Sequence, residues 1–462
     1  MKSLNGPQSL PLIQLLNWIF RPLDFLEECD RKYGDIFNLN LMGLPPFTAV
    51  SNPQGIEEIL SVDAKKFDVG RSNELAAGLL GDNSLVLLDG KPHRRQRKLM
   101  MPPFHGEKVK SYAQTIVQIT EKVASQWQEK QTLVMQKAMQ DITLETILHV
   151  VFGLSEGERY QQIKPPLIEL LDATGSPLKA SVIFLPFLQL DLGKWSPWGK
   201  VVRRRQKIYD LLQAEIDERR VNPELSGNDV LSLMMSARDE NGEGLSDIEL
   251  KDQMMTLLVA GHETTATALS WAFYWIHRSP EVKQKLLAEL DSLDPDADPL
   301  TISRLPYLTA VCNETLRIYP VAFIAFLRFA KSPIEVMGHQ FKTEEMLAPI
   351  IYLTHHREDL YPEPKKFKPE RFLERQYSTY EFMPFGGGNR RCIGYALALL
   401  EMKLVLAKVL TEWDLSLTSD REILPTRRGA TIAPHNGVPL ILNHQRDRLE
   451  QHQASKAIAE RA

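Results

Sequence analysis

One cysteine of this chain stands in a setting that could do chemistry: Cys392, in the run Phe385-Gly386-Gly387-Gly388-Asn389-Arg390-Arg391-Cys392-Ile393-Gly394. A thiolate binds metal ions only if its charge is stabilised, and the backbone amides of a glycine turn do that at little cost. Gly386, Gly387 and Gly388 allow a tight loop with dihedrals closed to other residues. The residues from Tyr395 onward read as a helix, so Cys392 falls at a helix start, where the dipole favours an anion. Arg390 and Arg391 add positive charge beside it. A single cysteine near a turn is more often an inert core residue. The motif around this one, and three further segments, decide against that.

The first of these segments is Ala260-Gly261-His262-Glu263-Thr264-Thr265, midway along a long apolar helix. Thr264 can bond back to a carbonyl one turn earlier and open the helix beside a ligand, and Glu263 sets a titratable group next to that hydroxyl. The second is Glu314-Thr315-Leu316-Arg317. Its spacing alone means little, since Glu156 and Arg159 repeat it and such pairs are usually solvated. With Pro369-Glu370-Arg371-Phe372 downstream, however, Glu314 could bridge Arg317 and Arg371 in a buried network. The third is His93 with Arg97, four apart on one helix face, to which Arg328 and Arg390 add guanidinium groups able to grip a carboxylate with two bonds.

The complete pattern F-x-x-G-x-R-x-C-x-G at Phe385, Gly388, Arg390, Cys392 and Gly394 resembles the haem-binding loop of the cytochrome P-450 family. The other segments resemble, in order, that family's oxygen-activation motif, its E-x-x-R pair and its second arginine. The likeness spans about His93 to Gly394, with His93 where tryptophan is commoner and Ala260 where some members have glycine. It implies a mainly α fold with a minor β-sheet region: a single triangular prism with heme b buried between the long central helix and the Cys-loop helix. Residues 1–444 would form that one domain and 445–462 a polar, frayed tail.

By the same resemblance Cys392 is the iron's axial ligand, and Phe385 and Gly386 belong to the cofactor loop. His93, Arg97, Arg328 and Arg390 hold the propionates. Glu263 and Thr264 serve catalysis with O2, and Glu314, Arg317 and Arg371 are structural. Leu85, Ala260, Val321, Ala322, Phe323 and Ile324 would line a pocket for a lipophilic substrate such as a fatty acid, terpene or steroid. Phe184 to Leu188, with Trp195 and Trp198, would form a lid, and Arg71 could reach a substrate carboxylate. The sequence carries no dinucleotide or flavin fingerprint, so electrons would come from a separate ferredoxin or flavodoxin-type protein. Lys91–Lys98 (KPHRRQRK), with five Lys or Arg residues and no acid, could receive it. A peroxide-driven hydroxylase or an isomerase would commonly lack the Glu263-Thr264 pair. A haem sensor would carry an output module, which the sequence does not show.

The elements that must position these residues are mostly helical. Ser246 and Glu249 form a capping box that starts the long helix, and Ser279-Pro280 ends it after roughly thirty residues. Further helices are expected near Gly106–Trp127, Gln140–Phe152, Val201–Arg220, Pro280–Leu293, Pro306–Ile318 and Tyr395–Trp413. Strands are expected at Ile36–Leu41, Thr48–Ser51, Ile334–Met337 and Leu347–Leu353. A net charge of -4 argues against a nucleic-acid binder. Three scattered cysteines make no disulfide framework and point to a reducing, cytoplasmic setting. Leu10–Phe20 is apolar but too short to span a bilayer, and reads as a surface helix with one buried face.

Overall fold

The computed structural model describes residues 4–172, 189–429 and 431–459. Its spine is the helix Asp247–Arg278, started by the expected capping box: Ser246 N donates to Glu249 Oε2 at 2.8 Å, and Glu249 N to Ser246 Oγ at 3.4 Å. In chain order the helices used below are α1 (Pro11–Phe20), α2 (Gly90–Met100), α3 (Met135–Thr146), α4 (Pro197–Val221), α5 (Asp247–Arg278), α6 (Pro306–Ile318), α7 (Tyr395–Glu412) and α8 (Arg448–Ala459). α5 packs against α3 most extensively, then against α7 and α6. Its middle is apolar on nearly every side, so burying it on three neighbours removes most of its surface from water.

Strands β1 (Ile36–Leu39), β2 (Phe47–Val50), β3 (Phe67–Asp68), β4 (Arg328–Ala330) and β5 (Met346–Pro349) make one sheet in the order β1-β2-β5-β4-β3. Only the β2–β5 pairing is parallel. A hairpin of β6 (Pro425–Arg428) and β7 (Thr431–Pro434) is pinned to the core by Ile432: its N–H reaches Val321 O at 2.9 Å, and its carbonyl accepts the Trp271 indole N–H at 3.0 Å. The architecture is mainly helical with small sheets.

Several local expectations need correction. The helix expected over Gln140–Phe152 stops at Thr146 and passes into a π turn over Ile147–Val151. The strand expected over Leu347–Leu353 ends at Pro349, which has no N–H to continue a ladder, and Ile351–His355 turns helical. The polar end expected to fray carries α8, where Asp447 Oδ1 caps the Leu449 and Glu450 N–H groups and Arg446 pairs with Asp291 at 2.8 Å. Helix α1 does bury one face, through Gln14 and Trp18, and leaves Leu12, Ile13, Leu16 and Phe20 exposed. Among the described residues no helix is long and apolar enough to cross a membrane.

Candidate functional site

The loop before α7 is bent by two glycines with left-handed φ, Gly386 at 66° and Gly388 at 61°, where a Cβ would be strained. This bend lets Cys392 N donate to Phe385 O at 2.9 Å and ends the loop three residues before α7. The Cys392 side chain is accessible although protein surrounds it, so it opens onto an internal space rather than the outer surface. Burial pushes its thiol pKa up, while the Gly394 amide, Arg97 and Arg391 pull the other way. Cys29 and Cys312 differ: both are buried in the core, with thiols pushed up to about 12.

The residues around Cys392 fit a haem. Among the described residues no cluster of three His, Cys, Asp or Glu could hold a bare metal ion. A lone thiolate is the donor set that would suit a metal whose remaining ligands a macrocycle supplies. A Cβ added at Gly394 would meet nothing within 4 Å, so the space beside the thiol is open at that point too.

The middle of α5 supplies a second opening. Ala260 is exposed and Val259, Gly261, Glu263 and Thr264 are partly so, whereas residues 252–258 and 265–274 on either side are buried. Thr264 Oγ1 donates back to Ala260 O at 2.5 Å, as its position suggests. Glu263 is steadied by neighbours that the sequence did not reveal: Gln140 Nε2 at 2.6 Å, Gln136 Nε2 at 3.3 Å and, from the hairpin, Arg428 at 3.7 Å.

The ion network is assembled as expected. Glu314 and Arg317 are 0% exposed and Arg371 is buried. Arg317 grips Glu314 with Nε at 2.7 Å and Nη2 at 2.9 Å, and Arg371 Nε adds a bond at 3.1 Å. Two further bonds complete it: Lys368 N donates to Glu314 Oε1 at 2.9 Å, and Arg317 Nη1 to His355 O at 2.8 Å. His355, which the sequence gave no reason to single out, carries the network to the thiolate loop, because its Nε2 accepts the Met383 N–H at 2.9 Å two residues before Phe385. Its ring proton therefore sits on Nδ1, and burial beside Arg317 lowers its pKa to about 3.

Of the four groups expected at the propionates, His93, Arg97 and Arg390 lie together. His93 is buried and neutral, its pKa lowered to about 3 by burial and by Arg390 and Arg97. Arg97 Nη2 donates to Arg391 O at 2.8 Å. Arg390 is already engaged, with Leu85 O at 3.1 Å, Leu88 O at 2.5 Å and the Asp89 carboxylate, a partner absent from the sequence reading. Arg328 is buried on β4 and donates to Phe326 O at 2.6 Å.

The expected pocket wall, an extended run before β4 rather than a strand, divides by burial at alternate residues. Ala322 is exposed and Ile324 partly so, while Val321 and Phe323 point the other way into the core. Phe323, 1% exposed, packs on Trp18 with ring centroids 5.1 Å apart and so cannot line the pocket. Leu85 is likewise buried, in the cluster under α5. Phe184 to Leu188 lie outside the described residues. Trp198 is a core residue and Trp195 is 82% exposed, so these two do not act alike. Arg71 is taken by Glu344 at 2.5 Å on the surface. Within KPHRRQRK, Arg95 pairs with Asp239 at 2.6 Å and Lys98 lies 3.6 Å from Glu240, and among the described residues Lys91, Arg94 and Arg97 have no acid within ion-pair distance.

Comparison with known proteins shows the family. Residues 4–439 match the family model described as Cytochrome P450. The chain is 35% identical over 446 residues to the protein named cytochrome P450 135B1 of Mycobacterium tuberculosis, covering 96% of this chain and 92% of that one. It is 31% identical over 408 residues to cytochrome P450 137 of the same organism, covering 88% and 83%. A solved cyanobacterial structure, CYP120A1 with retinoic acid bound, superposes with a TM-score of 0.82 at 26% identity, covering 96% of this chain and all of that one.

Proposed function

This chain belongs to the cytochrome P450 family and is a haem-dependent monooxygenase, and from that premise we propose that it oxidises a lipophilic small molecule with electrons from a separate ferredoxin- or flavodoxin-type protein. The family binds haem through an axial cysteine thiolate, and Cys392 is our assignment for it. The observation that carries the reading is the accessible thiol enclosed by protein, together with the opening at residues 259–264 between the buried halves of α5's middle.

Bound haem supplies the activation of O2. The chain's own residues orient and protect. The Gly394 amide, Arg97 and Arg391 would temper the thiolate charge, and neutral His93 with Arg97, Arg328 and Arg390 would hold the cofactor's carboxylates. Thr264, its hydroxyl hydrogen committed to Ala260 O, offers oxygen lone pairs to a water in the opening. Glu263 moves the proton, held within reach by Gln140 and by Arg428. Ala260 gives the opening an apolar side, and Ala322 and Ile324 are the accessible members of the expected pocket wall, which supports a lipophilic substrate. Retinoic acid in the cyanobacterial relative is of the same character.

For the electron donor, a groove of about 470 Å³ lies between Arg94, Arg97 and Lys98 on one wall and Asn389 of the thiolate loop on the other. Its charge suits an acidic partner. Three unpaired cysteines support a cytoplasmic site of action. The test is turnover of a fatty-acid, terpene and steroid panel with a ferredoxin, its reductase and O2, compared with peroxide alone. Oxidised product that needs both reductant and O2 is expected. Product formed with peroxide and none with reductant would replace this reading by the peroxide-driven one.

A further inference from the structure

An aspartate at the N-cap of a helix usually turns its carboxylate back onto an amide of the first turn. Asp89 stands at the N-cap of α2 and makes no such bond. Its carboxylate reaches outward instead. Oδ1 accepts the Val69 N–H at 2.9 Å, and Oδ2 accepts the Gly70 N–H at 2.8 Å and the Arg71 N–H at 3.4 Å. Oδ1 also receives Arg390 Nη2 from the thiolate loop, two residues before Cys392. The Arg390 side chain is 7% exposed, so this ion pair is largely withdrawn from water. A charged hydrogen bond in that setting holds its partners more firmly than a surface pair does.

Three segments meet on this one carboxylate. α2 begins beside it and carries His93 and Arg97. The thiolate loop brings Arg390, which also binds Leu85 O and Leu88 O. Val69 and Gly70 directly follow β3, which pairs with β4 through Phe67 and Ala330, and Ser72 Oγ donates to Leu327 O at 3.0 Å beside Arg328. All four groups expected at the cofactor's carboxylates are therefore carried by elements that Asp89 joins, directly or through one strand pairing. A crevice of about 20 Å³ lies where Asp89, His93, Asn389 and Arg390 converge.

A flexible arginine gives up rotamer freedom when it grips a carboxylate, and one already fixed by a neighbour gives up less. We propose that Asp89 is a positioning residue for the cofactor: it fixes Arg390 and brings α2, the thiolate loop and the β3–β4 pair into the register in which His93, Arg97, Arg328 and Arg390 meet the haem carboxylates. This rests on the haem-dependent reading and adds to it a residue that acts through another.

The test starts from holoenzyme mixed with excess apomyoglobin, so that released haem is trapped and its transfer is read from the Soret band. Asp89→Asn keeps the shape but gives up the charge, and should lose haem about 10- to 100-fold faster than wild type, the range for a hydrogen bond to a charged partner. Asp89→Ser, whose hydroxyl can cap the first turn of α2, should lose haem as fast, which separates positioning from support of that helix. Arg390→Gln should be at least as fast again. Because Asp89 acts through Arg390, the double variant Asp89→Asn with Arg390→Gln should lose haem no faster than Arg390→Gln alone, whereas two independent structural losses would multiply. A variant purified without haem is compared instead by titrating haem into it, with the same fold-change expected in affinity. Haem retained as firmly as in wild type by either Asp89 variant, or losses that multiply in the double variant, overturn the assignment. With a thiolate-type spectrum in the wild type, that failure leaves the monooxygenase reading standing. A wild type that takes up no haem overturns both.

Discussion

Two polar regions are set into the apolar body of this protein, and they are built on opposite plans. Beneath the thiolate loop, Glu314, Arg317 and Arg371 bind one another closely, with His355 joined to them through its carbonyl: both carboxylate oxygens accept, and Arg317 spends its donors on Glu314 and on backbone carbonyls. Around the middle of α5, Glu263 is held at the margin of an opening by amides and a distant arginine, and Thr264 keeps lone pairs free. A saturated network can do no more than fix geometry. The unsaturated region is where a reactant can still be bound, and the two should respond differently to mutation.

The largest effect is expected in the saturated region. Arg317→Met leaves Glu314 buried and half-compensated, and should cost about 3–5 kcal/mol in urea unfolding, with loss of haem on purification. If the variant is as stable as the wild type, the two regions are not distinguished as claimed.

Acid should reveal the same region next. His355 is neutral when folded, with a pKa near 3 against an ordinary value of 6.5. Its folded pKa is depressed, so at pH above 6.5 it has no effect; as pH falls from 6.5 toward 3 the unfolded state takes up the proton and the native state loses ground. The loss is up to about 1.4 kcal/mol per pH unit. Urea midpoints at pH 7.5, 5.5 and 4.5 should fall accordingly. His355→Gln, whose amide oxygen can still accept the Met383 N–H, should flatten that fall.

In the unsaturated region folding should survive and chemistry suffer. Glu263→Gln and Thr264→Ala should each lower product formed per O2 consumed by on the order of 10²-fold, the lower end for a positioned proton-transfer group, with unfolding midpoints near wild type. The smallest effect belongs to the surface: raising salt from about 0.05 to 0.5 M should slow partner-driven reduction several-fold by shortening the screening length, and salt-independent reduction would remove the groove at Arg94 and Arg97 from the account.

The saturated region was legible in the sequence because its members recur in order within short motifs, and the thiolate loop because glycine spacing and a following helix coincide. The long helix was legible to within a residue or two at each end, since a capping box and a proline bound it. What escaped was what long-range packing decides. Nothing local links Gln140 or Arg428 to Glu263, Asp89 to Arg390, or His355 to Met383. The hairpin Pro425–Pro434 was missed because its arginines look solvated in sequence and become enclosed only against Trp18 and Phe323. Phe323 was read as pocket wall because an apolar run of six does not show which of its alternate residues face inward.

The central claim, that the Cys392 sulfur holds the haem iron, is tested most directly by the absorption spectrum of the reduced protein under carbon monoxide. Wild type should show the strongly red-shifted Soret band of thiolate ligation, and Cys392→Ala should lose it while keeping its helical circular dichroism. A wild-type band of the histidine type, or a red-shifted band that persists in Cys392→Ala, would contradict the account.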